Sequence, residues 1–172
     1  MVHNAGASHI GSALSISDIL AVLYGTVLAV DPKNSKSNAR DRFILSKGHA
    51  CVAVYAVLAE RGFLPKAELG SFAKNESTLM SHISHHVNGV EFSTGSLGHG
   101  LPFGVGKSLA AKKRGEKWKT FVLMSDGECT EGTVWEAAIF AKFHKLNNLI
   151  AIIDYNNISA TDFTKNFTSN TN

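Results

Sequence analysis

The sequence predicts an α/β fold of three layers: a doubly wound, mostly parallel sheet with helices on both faces. Two observations predict it. The apolar runs Thr120-Phe121-Val122-Leu123-Met124 and Leu149-Ile150-Ala151-Ile152-Ile153 flank an amphipathic run, and each ends in a polar turn. Strands buried on both faces read as such continuous apolar runs. Earlier in the chain, Arg42-Phe43-Ile44-Leu45 leads into Ser46-Lys47-Gly48-His49-Ala50, a second strand-to-helix turn. In right-handed parallel units these turns gather at one edge of the sheet, where ligands bind.

Bulk properties narrow the class. A chain of 172 residues suffices for one domain with a real core. Hydrophobic content of 44% and charged content of 18% are those of a globular protein. A net charge of +3 gives no nucleic-acid footprint. Cys51 and Cys129 are too few for a disulfide framework and lack a metal spacing. Reduced thiols, and so a cytoplasmic location, are expected. No apolar run has the length of a membrane span, and the first residues do not read as a signal peptide.

Taken in order, Met1 to Gly11 reads as a loop. Ser15 or Ser17 is expected to cap a helix through Ile19, Leu20, Leu23, Tyr24 and Val27. Asp31-Pro32 ends it, and Lys33 to Arg40 is a solvated loop. After the strand at Arg42, a helix from Ala50 to Arg61 turns Val54, Val57 and Leu58 inward and stops at Gly62. Pro65 opens a short helix through Leu69 and Phe72. Lys74 to Gly95 is a long irregular segment, of the kind that is functional or mobile. Four glycines fall between 98 and 106 in a stretch that turns helical by Lys107. Glycine inside a helix costs about 1 kcal/mol relative to alanine, so their number suggests close approach of a backbone or a ligand. Lys112-Lys113-Arg114 places cations at the negative end of that helix. After Asn157 the chain becomes polar.

The turn after the run at Thr120 is Ser125-Asp126-Gly127-Glu128-Cys129-Thr130-Glu131; the next strand ends in Asp154-Tyr155-Asn156-Asn157-Ile158-Ser159. Asp126 and Asn156 then face one another across adjacent strand ends. A carboxylate, an amide oxygen and a nearby backbone carbonyl suit magnesium or calcium, and magnesium in such a site commonly also binds phosphates. Asp126 has a competing role as a helix cap, Glu131 as a favourable charge at a helix start, and Cys129 as packing. Gly106-Lys107-Ser108 resembles the end of a P-loop, but Leu101 stands where the first glycine is needed. The strict Gly-x-Gly-x-x-Gly pattern fails at Phe103. His82, His85 and His86 read either as a transition-metal cluster or as exposed loop histidines, one of which can still serve in catalysis. His9 and His49 both lie at loop-to-helix junctions on the expected ligand edge, which favours function over buried, satisfied rings.

Together these residues resemble the amino-terminal, diphosphate-binding domain of the transketolase family of thiamine-diphosphate enzymes. Asp126-Gly127 with Asn156 looks like the motif that begins Gly-Asp-Gly and ends in asparagine. Asp41 to Ala50 is similar to a signature whose histidine, here His49, contacts the cofactor. Ser93 to Gly100 looks like Thr-Gly-x-Leu-Gly-Gln-Gly, in which backbone at Gly95 and Leu97 approaches the aminopyrimidine. Ala7 to Gly11 resembles Ser-Gly-His-Pro-Gly, and Ser81-His82-Ile83 resembles Gly-His-Pro. Ser125 replaces a glycine, Ile10 and Ile83 replace prolines, and His99 replaces glutamine.

The resemblance implies that Asp126, the Asn156 side chain and the Ile158 carbonyl hold Mg2+, or Ca2+ as a substitute, on thiamine diphosphate. It implies that Gly127 N–H lies near the diphosphate and that Glu131 links two cofactor sites across a dimer. His9, His49 and His82 would surround the reacting carbon as hydrogen-bonding and acid–base groups. The expected activity is transfer of a two-carbon ketol unit between sugar phosphates. The expected partner is a chain or subunit carrying the pyrimidine-binding domain, in a homo- or hetero-oligomer. Residues 1–172 are expected to form a single diphosphate-binding domain, incomplete relative to the family at both ends. Two other readings are a related enzyme, of the deoxyxylulose-phosphate synthase or dehydrogenase first-component type, and a truncated relative that folds and associates without catalysing.

Overall fold

Strand β1 (Arg42–Leu45), strand β2 (Thr120–Ser125) and strand β3 (Leu149–Asp154) form one parallel sheet in the order β1-β2-β3. The computed structural model describes residues 1–159 and 162–166; the rest of the polar tail lies outside them. Leu45 pairs with Leu123, Leu123 with Ile152, and Ser125 with Asp154. The C-terminal ends of the strands are thereby brought to one edge. Every residue of β1 and β2 is buried, which is why both read as unbroken apolar runs.

The two-residue period of a strand divides the core. Phe43, Leu45, Phe121 and Leu123 pack on one face with Ala13, Leu20, Val54 and Leu58. Those come from α2 (Ile10–Ser15), α3 (Ser17–Val22) and α4 (Cys51–Glu60), which follow a single turn, α1 (Val2–Ala5). Ile44, Val122 and Met124 pack on the other face with Leu101, Val105, Val134 and Ala137, from α5 (Gly100–Arg114) and α6 (Gly132–Phe143). The three layers expected from the sequence are present. Beyond the sheet, β4 (Ile158–Ser159) and β5 (Asp162–Phe163) pair antiparallel. No helix of the described residues is long and apolar enough to cross a membrane.

Two expectations need correction. The amino-terminal stretch is not all loop: α1 and the start of α2 lie within it. His9 separates them in the left-handed region, at φ 70°, and burial of Ala13 against the core holds α2. Neither Ser15 nor Ser17 caps a helix; Ser15 Oγ donates to Asp154 Oδ2 at 2.7 Å and Ser17 Oγ to the Ala13 carbonyl at 3.1 Å. The stretch expected to be helical by Lys107 is helical from Gly100, where α5 begins. A Cβ at Gly100 would fall on the Ser46 side chain, and one at Gly104 would lie 2.5 Å from Val122 Cγ2. The glycines let α5 lie directly on β1 and β2, and that packing offsets their weak helix propensity.

Candidate functional site

A cleft of about 640 Å³ opens at the C-terminal edge of the sheet. Five segments build its wall. His9, Ser12 and Ser15 come from α2 and the residue that precedes it; the turn after β1 supplies Lys47 and His49; the segment before α5 supplies Gly95 and Leu97. The turn after β2 supplies Ser125 and Gly127, and that after β3 supplies Asn156 and Ile158. Tertiary hydrogen bonds hold the irregular segment in place. Thr94 Oγ1 donates to the Leu45 carbonyl at 2.5 Å, and Ile83 N–H to the Gly48 carbonyl at 3.0 Å.

Asp126 is buried at the edge of the cleft. Its Oδ1 accepts the Gly127 N–H at 3.0 Å and its Oδ2 the Asn157 N–H at 2.8 Å. The carboxylate and the Asn156-Asn157 turn are thus joined directly. Asn156 Oδ1 accepts the Ile158 N–H at 2.9 Å. These bonds leave lone pairs on the carboxylate and the amide oxygen, which with the Ile158 carbonyl are oxygen donors of the kind a hard divalent cation takes. A Cβ at Gly127 would lie 2.7 Å from Ser159 Oγ, so a side chain there would have to displace Ser159. Backbone beside the cation set is left bare for an anionic group.

The three expected histidines meet. The His9 ring lies 5.1 Å from that of His49 and 5.8 Å from that of His82, centroid to centroid. His82 is exposed and stands at the rim; its ring would be 3.1 Å from a Cβ at Gly95, so the two positions pack closely. Burial pushes the His49 imidazole down to about 4, with His9, Lys47 and His82 adding in the same direction. His49 is therefore neutral at pH 7 and can accept as well as donate a hydrogen bond.

Other candidates lie elsewhere. Glu131 stands at the start of α6, exposed and beside Gly98, outside the cleft lining. Lys107 of the P-loop-like triplet sits within α5, over the Phe103 ring. His85 stacks near His86 and bonds Ser93. Among the described residues, no three His, Cys, Asp or Glu side chains group to hold a metal.

Sequence reasoning missed Glu128, which is fully buried. It accepts Ser46 Oγ–H and the Gly98 N–H. It also accepts the Ser125 N–H, while Ser125 Oγ accepts the Glu128 N–H at 3.2 Å. That reciprocal pair is a capping box, and the Ser-x-x-Glu spacing was its signal. Lys47, Asp154 and Ser15 were also missed, since nothing local marks an ion pair between distant turns.

The sequence family described as "Transketolase, thiamine diphosphate binding domain" matches residues 1–172. The chain belongs to the transketolase family. It is 45% identical over 95% of its length to the apulose-4-phosphate transketolase subunit of Actinobacillus succinogenes, covering 59% of that protein. It is 38% identical over 93% of its length to 6-deoxy-6-sulfo-D-fructose transketolase subunit SqwG of a Clostridium species, covering 58%. The crystal structure of transketolase from Campylobacter jejuni superposes with a TM-score of 0.88 at 38% identity, over 92% of this chain and 26% of that one. This transketolase-family domain thus spans rather more than half the length of the two subunit relatives. Its cleft gathers His9, His49, Gly95, Leu97, Gly127, Asn156 and Ile158, with His82 at the rim and Glu131 outside.

Proposed function

We propose that the chain is the diphosphate-binding part of a thiamine-diphosphate- and Mg2+-dependent transketolase. It would move a two-carbon ketol unit between sugar phosphates together with a chain that carries the pyrimidine-binding domain. The observation that supports this best is the convergence of His9, His49, Gly95, Leu97, Gly127, Asn156 and Ile158 on one cleft, beside buried Asp126. Two of the relatives are named as transketolase subunits, which supports a partner chain in a hetero-oligomer. Two free thiols support a cytoplasmic location.

When bound, the cofactor supplies the thiazolium carbon that bonds to the ketose carbonyl and stabilises the transferred unit. Asp126, the Asn156 amide oxygen and the Ile158 carbonyl would hold Mg2+, with Gly127 N–H toward the diphosphate. Neutral His49 would hydrogen-bond at the reacting end of the cleft, and His9 and His82 beside it would orient substrate hydroxyls and pass protons. Glu131, outside the cleft, would face a partner subunit.

Calorimetric titration of the full chain with thiamine diphosphate tests the reading. The expected result is binding that requires Mg2+ and is lost on chelation. Absence of heat with and without the metal would instead favour a relative that folds and associates without catalysis.

A further inference from the structure

Three side chains at the cleft, Lys47, Asp154 and Ser15, meet behind Asn156 and are not used by the chemistry above. Lys47 Nζ lies 2.5 Å from Asp154 Oδ2, with side chains 1% and 9% exposed. The same oxygen accepts Ser15 Oγ–H at 2.7 Å and Asn156 Nδ2–H at 3.2 Å. Asn156 Nδ2 also donates to Ser15 Oγ at 3.1 Å. The members come from α2, the turn after β1 and the end of β3, so only the folded chain assembles them.

A buried ion pair adds little net stability, because desolvation offsets its attraction. Its effect on Asn156 is specific. The two ends of an amide have nearly the same shape, and only their partners decide which way it points. Asp154 Oδ2 takes the Lys47 ammonium, the Ser15 hydroxyl and the Asn156 amide, all as donors. Ser15 spends its only hydrogen on Asp154, so toward Asn156 it can only accept. Two acceptors therefore face the same end of the amide, and only the NH2 end satisfies them. Oδ1 must point the other way, toward the Ile158 N–H.

We propose that Asp154, held by Lys47 and Ser15, is a positioning residue that fixes the flip of Asn156 and so presents Oδ1 as a cation ligand beside Asp126. This rests on the cation-site reading above. Removing the partners behind a metal ligand typically weakens metal affinity about 10- to 100-fold.

The test is Mn2+ titration of the full chain with thiamine diphosphate present, free Mn2+ being read by electron paramagnetic resonance and the fold by thermal unfolding. Asp154→Asn is expected to weaken Mn2+ binding about 10- to 100-fold. Ser15→Ala, which keeps the ion pair, weakens it by less, with an unfolding midpoint close to that of the unaltered chain. Lys47→Met weakens binding and Lys47→Arg restores it. If Asp154→Asn does not fold, Ser15→Ala decides alone. Folded variants with unchanged Mn2+ affinity would reduce the group to a structural ion pair and overturn the inference alone. No cofactor-dependent Mn2+ binding by the unaltered chain would overturn the cation site and this inference together.

Discussion

The carboxylate of Glu128 accepts the Gly98 N–H at 2.8 Å across 30 positions of sequence. Through Ser46 and Ser125 the same carboxylate ties together the turns after β1 and β2, so one buried group holds three walls of the cleft in register. Glu128→Ala strands several buried donors and is expected to cost on the order of 3 kcal/mol, since each unmet buried partner costs about 1–3. Glu128→Gln keeps one acceptor oxygen and costs less. Urea denaturation at neutral pH measures both; equal stability of the two variants would contradict the hub.

Gly104 and Gly106 lie two positions apart in α5 and predict opposite outcomes. A Cβ at Gly104 meets Val122 Cγ2 at 2.5 Å, whereas one at Gly106 meets nothing within 4 Å. Overpacking costs about 1–3 kcal/mol, so Gly104→Ala destabilises despite its better helix propensity. Gly106→Ala stabilises by about 1 kcal/mol. Shortening Val122 to alanine makes room, so the Gly104→Ala/Val122→Ala pair is expected to lose less than the sum of the single changes. Thermal or urea unfolding of the four chains measures the coupling.

These glycines also show where the sequence was readable. The strands were: burial on both faces left continuous apolar runs in β1 and β2, and β3 is equally apolar although Ala151 and Ile153 are exposed. The His49 and Asp126 turns followed, since each leaves the end of a parallel strand and the topology fixes their edge. The start of α5 was hidden because Gly100 and Gly104 argue locally against helix, and only contact with Ser46 and Val122 explains them. The Lys47–Asp154 pair was hidden because its members lie 107 positions apart. Glu128 was legible as a capping box and was overlooked beside Asp126.

The two thiols differ in access. Cys51 is fully buried, with Sγ toward the Met80 carbonyl at 3.5 Å, and burial pushes it up to about 12. Cys129 is half-buried, and its thiol is raised by burial and by the carboxylates of Glu128 and Asp126. The thiolate is the reactive form, so neither is a ready nucleophile. Iodoacetamide at pH about 7.5, below the ordinary thiol range, is expected to modify Cys129 slowly and Cys51 only as urea unfolds the chain. Rapid labelling of Cys51 in the native state would refute its placement beneath the Met80 segment.

His49 predicts how stability changes with acid. Its pKa falls from the ordinary 6.5 to about 4 in the folded chain, first by burial and then by the neighbouring His9, Lys47 and His82. Between those values the unfolded chain binds a proton that the folded chain refuses, so unfolding becomes easier as pH drops through this window. The loss levels off below about pH 4, where both states are protonated. Urea midpoints of the unaltered chain and His49→Gln, compared from about pH 7 to 4, are expected to converge or cross as the histidine's contribution disappears. Replacing His9 with glutamine removes one opposing charge and should raise the titration midpoint of the His49 ring, read from its imidazole proton resonances. A His49 midpoint near the ordinary 6.5 in the unaltered chain would show that the ring lies in water and not in the cleft wall.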